Sequence, residues 1–163
     1  MICRARPVLV LALTAALVTA AGQGRAACAP GEVEFAAPGG AARFHVEVAA
    51  TAAQRAYGLM NRASLAADAG MIFIFPQPVE ARFWMKDTLI PLDMIFADPA
   101  GRITRIAENA QPMDESVIDG GPGVAYVIEV NAGQAQRLGL RPGMALRGAM
   151  LDQDRAAWSC SAP

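Results

Sequence analysis

The feature that most constrains this chain is punctuation. Its apolar residues come in short runs cut off by Gly, Pro and Asp, which is the length and spacing of strands rather than of packed helices. The stretch 43–48 alternates, with Phe44, Val46 and Val48 on one side and Arg43, His45 and Glu47 on the other, as in a half-buried strand. Thr51 caps a short helix that runs through Tyr57 and ends at Gly58. After the turn Asp68-Ala69-Gly70, residues 71–75 are apolar on both faces, and Pro76 is expected to stop that strand. A further strand covers 79–85. Residues 93–97 and 102–107 flank Asp98-Pro99-Ala100-Gly101 and make a hairpin. A long polar loop, 108–123, leads to a strand at 125–130 and a short helix at 132–138 that Gly139 ends. Arg141-Pro142-Gly143 turns into a last strand, 144–147. The expected fold is mainly β with two short helices (α+β), a compact single-domain mixed β-barrel or sandwich. There is no regular β-α-β-α alternation, which argues against a Rossmann-like sheet.

The ends of the chain speak to location. Arg4 and Arg6 precede an apolar run over 8–18, followed by small residues, the pattern of a cleavable signal peptide over 1–20. The run is short for a membrane span, which takes about 20 apolar residues. Val18-Thr19-Ala20 fits a cleavage site before Ala21; a cut after Ala26 or Ala27 also fits. The mature chain divides into an N-terminal segment at 21–42, the β-rich domain at 43–150 and a C-terminal tail at 151–163. Cys3 would leave with the leader. Cys28 and Cys160 would remain, an even pair expected to bridge in the periplasm or outside the cell.

The formal net charge is −1, and losing Arg4 and Arg6 would make the remainder more acidic. With no basic run, nucleic acid has no electrostatic footing as a partner. No second apolar run of spanning length comes after the leader, so no membrane span is expected after cleavage. His45 is the only histidine, and no Gly-x-Ser-x-Gly elbow occurs. No catalytic set, metal site or cofactor is expected.

Several motifs stand in a fixed order: Gly58-Leu59-Met60-Asn61-Arg62, Gly70-Met71-Ile72-Phe73-Ile74-Phe75, Phe83-Trp84-Met85-Lys86-Asp87-Thr88 and Pro91-Leu92-Asp93-Met94-Ile95-Phe96. Ile128-Glu129-Val130, Gly133 and Leu138-Gly139-Leu140 come later. In these the chain resembles the domain of unknown function 192 family, also called uncharacterised protein family 0127, over residues 43–147. The resemblance implies a small, mainly β fold, often on an exported or membrane-attached chain, and no particular activity. Asp87 stands where family members often have Asn; either caps a turn through a side-chain oxygen.

The residues around Trp84 are the most informative chemically. On a strand, Arg82, Trp84 and Lys86 would share a face. If they face solvent, they make a platform for a planar or anionic ligand; if not, the indole packs under a loop beneath the cations' stems. Met60, Arg62, Trp84, Lys86 and Asp93 are therefore the candidate ligand-binding residues of one cleft. Glu129 sits in an apolar strand, opposite Ile128 and Val130, and needs a charge partner if buried; Arg62, Arg82 or Lys86 would supply it. The expected function is an exported, non-enzymatic binding or accessory domain that takes a small molecule, glycan or peptide near Trp84. The alternative is an envelope carbohydrate hydrolase using Asp93 and a second carboxylate.

Overall fold

A computed structural model describes residues 28–161. The expected signal peptide, 1–20, and its cleavage site lie outside the described residues. The elements run β1 (Glu32–Ala37), β2 (Gly40–Ala49), α1 (Ala52–Tyr57), β3 (Ala69–Phe83), β4 (Leu92–Ala97), β5 (Ile103–Ala110), β6 (Ile118–Asn131), α2 (Gln134–Leu138) and β7 (Leu146–Arg147). The strands form one seven-stranded sheet in the order β5-β4-β6-β3-β2-β1-β7. It curls until its ends approach. Arg102 bridges Ala145, and the Ile103 N–H donates to Met144 O at 2.8 Å. The fold is the expected mainly β single domain, a half-barrel of strands with two short helices.

The sheet is antiparallel except where α1 carries the chain from β2 to a parallel β3. Thr51 begins α1 as a capping box. Its hydroxyl accepts the Gln54 N–H, and Gln54 Oε1 accepts the Thr51 N–H at 2.9 Å. Each face of the sheet has its own core. Val33, Phe35, Phe44, Val46, Ile72, Ile95, Ile128 and Leu146, drawn from both ends of the strand order, fill one side. On the other, Leu59, Phe73, Met85, Leu92, Met94, Phe96 and Val127 join strand residues to the loops that cover them.

The structure adds to or changes the sequence reading in three places. Within the N-terminal segment, 21–42, residues 32–37 form β1, a strand that the sequence pattern does not mark. Glu34, buried there, meets Arg43 Nε at 2.9 Å and Arg147 Nε at 2.7 Å. Burial alone would raise its carboxyl; the hydrogen bonds from Arg43 and Arg147 outweigh this and hold it below the usual carboxylate range. Second, β3 does not stop at Pro76 but runs on to Phe83, because its register against β6 breaks between Ile74 and Val79 and leaves Pro76 and Pro78 out of the ladder. Third, the long loop shrinks from both sides, since β5 reaches Ala110 and β6 begins at Ile118. The start of β6 pairs with the end of β3 as a two-stranded ribbon, and Gly120 lets this ribbon lie close on β4: a Cβ there would stand 2.3 Å from the Phe96 ring.

The tail folds back on the domain. Tyr126 Oη accepts the Asp152 N–H at 3.1 Å, and Arg147 lies 3.9 Å over the Trp158 ring. Cys28 and Cys160 are disulfide-bonded, as expected, with their Cα atoms 5.3 Å apart.

Candidate functional site

Backbone hydrogen bonds tie three loops together at one end of the ribbon. Gly58 ends α1 at φ 52°, with the space for a Cβ closed by Phe73 at 3.1 Å, and turns the chain into residues 59–66. Leu59 is buried, Met60 is half-buried, and the Asn61 N–H donates to Asp87 O at 2.7 Å. Asp87 itself takes φ 52°, a left-handed conformation that Asp and Asn tolerate better than most residues. The Met85 N–H donates to Asp114 O at 2.8 Å, and the Met113 N–H to Thr88 O at 3.1 Å.

This knot fixes the Trp84 segment. Met85 is fully buried in the second core, whereas Trp84 is 49% exposed. Lys86 Nζ lies 5.4 Å from the centroid of the Trp84 ring. Strand β3 ends at Phe83, so a turn, not strand alternation, brings Lys86 to the indole. Arg82 points its guanidinium to Glu80 at 2.9 Å instead. Leu89, Met113 and Val117, all on these joined loops, are also exposed.

Arg62 forms a two-toothed pair with Glu47, at 2.5 and 2.6 Å. The Arg62 hydrogen bond draws the Glu47 carboxyl below its ordinary range, against the opposing effect of burial. Cross-strand register sets a row on this face: Glu47 opposite Met71, Met71 opposite Glu129, and Glu129 opposite Met94. Glu129 is 5% exposed, and among the described residues no hydrogen bond or ion pair reaches its carboxyl. Burial pushes it up to about 8. The expected charge partner is therefore absent among those residues: Arg62 is held by Glu47 two strands away, Arg82 by Glu80, and Lys86 lies over Trp84.

Asp93 needs a second correction. It pairs in register with Val130 while its neighbour Met94 pairs with Glu129, so Asp93 and Glu129 point to opposite faces of the sheet. Asp93 is fully buried. Its Oδ1 accepts the Asn109 N–H and its Oδ2 the Ala135 N–H, each at 2.8 Å. The first bond holds an irregular step in β5, where the register against β4 jumps between Leu92 and Met94; the second holds the start of α2. Asp93 thus does not line a surface cleft with Trp84 and Lys86. The loop knot brings together Met60, Arg62, Trp84 and Lys86 as neighbouring segments and leaves Asp93 behind the sheet.

Two residues that sequence reasoning misses are Tyr57, exposed at the end of α1, and Glu47, the partner of Arg62. Signals for both exist: Tyr57 directly precedes the helix-ending Gly58, and Glu47 lies on the polar side of the 43–48 alternation. Among the described residues no group of three His, Cys, Asp or Glu side chains is placed to hold a metal ion.

The family model DUF192, described as uncharacterised ACR, matches residues 34–148. None of the curated proteins compared matches the chain. Two solved structures are similar to it. A protein of unknown function from Novosphingobium aromaticivorans is 42% identical with a TM-score of 0.68, the match covering 71% of this chain and 83% of that one. A protein from Sinorhizobium meliloti, described provisionally as a transcription regulator, is 43% identical with a TM-score of 0.70, covering 77% of this chain and 98% of that one.

Proposed function

The chain belongs to the DUF192 family, and from that footing we propose that it is a non-enzymatic binding or accessory domain working outside the cytoplasm, in the periplasm or secreted. Its ligand, a small molecule, glycan or peptide, lies on the Trp84 surface. Two features support the location. The N-terminal segment has the signal-peptide pattern, and the Cys28–Cys160 bridge is compatible with an oxidising compartment. No helix among the described residues is long and apolar enough to cross a membrane.

The observation that carries the reading is the half-exposed indole under Lys86. An aromatic face left in water, with a cation 5.4 Å from its centroid, has not spent its area on the core. Met85, the next residue, supplies the packing there. The hydrolase reading draws no support from Asp93, whose two oxygens are taken by backbone N–H groups. The transcription-regulator description of the Sinorhizobium relative finds no electrostatic footing in a chain of net charge −1 without a basic run.

A thermal-shift screen of wild type and Trp84→Ala tests the proposal. Ligands that raise the wild-type Tm should lose their effect on the variant, whose own stability should fall by no more than ~1 kcal/mol, as for a surface position. A stability loss of ~3–5 kcal/mol would mark Trp84 as core; unchanged ligand responses in the variant would place the site elsewhere.

A further inference from the structure

A cavity of about 510 Å³ opens between α1 and β2, within the size range of ligand clefts, ~300–1,000 Å³. Its room comes from small residues, Ala49, Ala53 and Gly58, with Met71 also lining it. Tyr57 contributes an aromatic ring that is 55% exposed. The polar lining is planar: the Arg62–Glu47 pair and Gln54. Gln54 Oε1 is occupied by the Ala50 and Thr51 N–H groups, at 3.1 and 2.9 Å, and its amide N–H donors have no partner among the described residues.

We propose that this cavity is a saccharide-binding site, distinct from the Trp84 surface and argued independently of it. The choice rests on what the ion pair tolerates. An anionic ligand would have to pull Arg62 away from Glu47, leaving a carboxylate without its cation. A wholly apolar ligand would strip water from the pair and return no hydrogen bonds, which is costly. A neutral polyhydroxyl ring does neither. Neighbouring hydroxyls can donate to the free lone pairs of the Glu47 carboxylate and accept from remaining Arg62 and Gln54 N–H groups. Both partners are already held in fixed geometry, so little ordering is left to the binding step. The C–H face of a pyranose is apolar and lies flat on an aromatic ring, which gives Tyr57 a use at an otherwise exposed position.

The test is an NMR titration of ¹⁵N-labelled protein with glucose, N-acetylglucosamine and their β-1,4-linked dimers, with benzoate and indole as comparators. The sugars should move the backbone amide signals of Val48, Tyr57, Gly58 and Arg62, with a dissociation constant on the order of 1 mM for the better dimer. Tyr57→Ala should weaken binding at least ~10-fold. Arg62→Lys, which keeps the charge but loses the planar fork, should weaken it comparably. Trp84→Ala should leave it unchanged. The proposal is overturned if no sugar moves these amides, if benzoate or indole binds there in place of sugars, or if Tyr57→Ala binds as wild type. Sugar-induced shifts confined to the Trp84 loops would overturn it while supporting the other surface.

Discussion

Replacing Glu129 by Gln should change how stability depends on pH, in a direction the structure dictates. Glu129 sits between Met71 and Met94 with no partner among the described residues, and burial raises its carboxyl from an ordinary 4.5 to about 8. Below pH 4.5 both the folded and unfolded chains hold this proton, and the stabilising effect of the neutral acid is fully present. Between 4.5 and about 8 the folded chain keeps the proton while the unfolded chain has lost it, so stability falls as pH rises. Above about 8 both forms are ionised and the loss is complete. Each pH unit in that window is worth roughly 1.4 kcal/mol, so the full window is on the order of 5 kcal/mol. That is a large share of the ~5–15 kcal/mol that holds a typical domain together.

Glu129→Gln is nearly the same shape and does not titrate. The assay is urea denaturation of both proteins at several pH values from ~4 to ~9, with the midpoint and slope fitted at each. Subtraction removes distant carboxylates such as Glu34, which the two proteins share. The advantage of the variant should grow through the window and level off above about 8. A difference that stays flat from ~5 to ~8 would refute the reasoning, because it would mean that Glu129 is ionised and compensated in the folded chain.

The same geometry sets two further outcomes. Asp93→Ala leaves the Asn109 and Ala135 N–H groups without acceptors and should cost ~2–6 kcal/mol in chemical denaturation, at roughly 1–3 kcal/mol per orphaned donor; a cost under ~1 kcal/mol would show that water replaces the carboxylate. Non-reducing peptide mapping of protein recovered from the cell envelope should find Cys28 linked to Cys160 and a mature N-terminus near Ala21, and reducing the bridge should cost ~5 kcal/mol by chain-entropy reasoning; free thiols in oxidised protein, or a retained leader, would count against the assignment.

The parts of the fold that are legible in sequence are those whose signals are local. Thr51 and Gly58 bound α1 through contacts within one helical turn, and Asp98-Pro99-Ala100-Gly101 announces the β4–β5 hairpin. β1 escapes sequence reasoning because its pattern buries an acid. Glu34 looks like a surface residue until Arg147, 113 residues away, is placed beside it. β3 looks shorter than it is because proline ends most strands, and only the break in register against β6 makes Pro76 and Pro78 harmless. At the site, Trp84 and Lys86 read together because they are two residues apart. The partners of Asp93 and Glu129 do not, because alternation fixes which face a side chain takes but not what stands opposite.

The three buried carboxylates show where the chain has spent its polar groups. Glu34 is matched by two arginines, Asp93 by two backbone N–H groups, and Glu129 by none among the described residues. The first two therefore hold the frame together: Glu34 joins β1, β2 and β7, and Asp93 joins β4, β5 and α2. Glu129 does not serve as a counter-charge, because a carboxyl raised to about 8 is mostly neutral at pH 7. It stands in register between Met71 and Met94, two residues of the core that the covering loops close. What remains for a ligand is at the surface, where side chains keep unused bonding capacity: the ring of Trp84 with Lys86, and the ring of Tyr57 with the Arg62–Glu47 pair. The Asn61–Asp87 hydrogen bond ties the loop that carries Arg62 to the loop that carries Lys86.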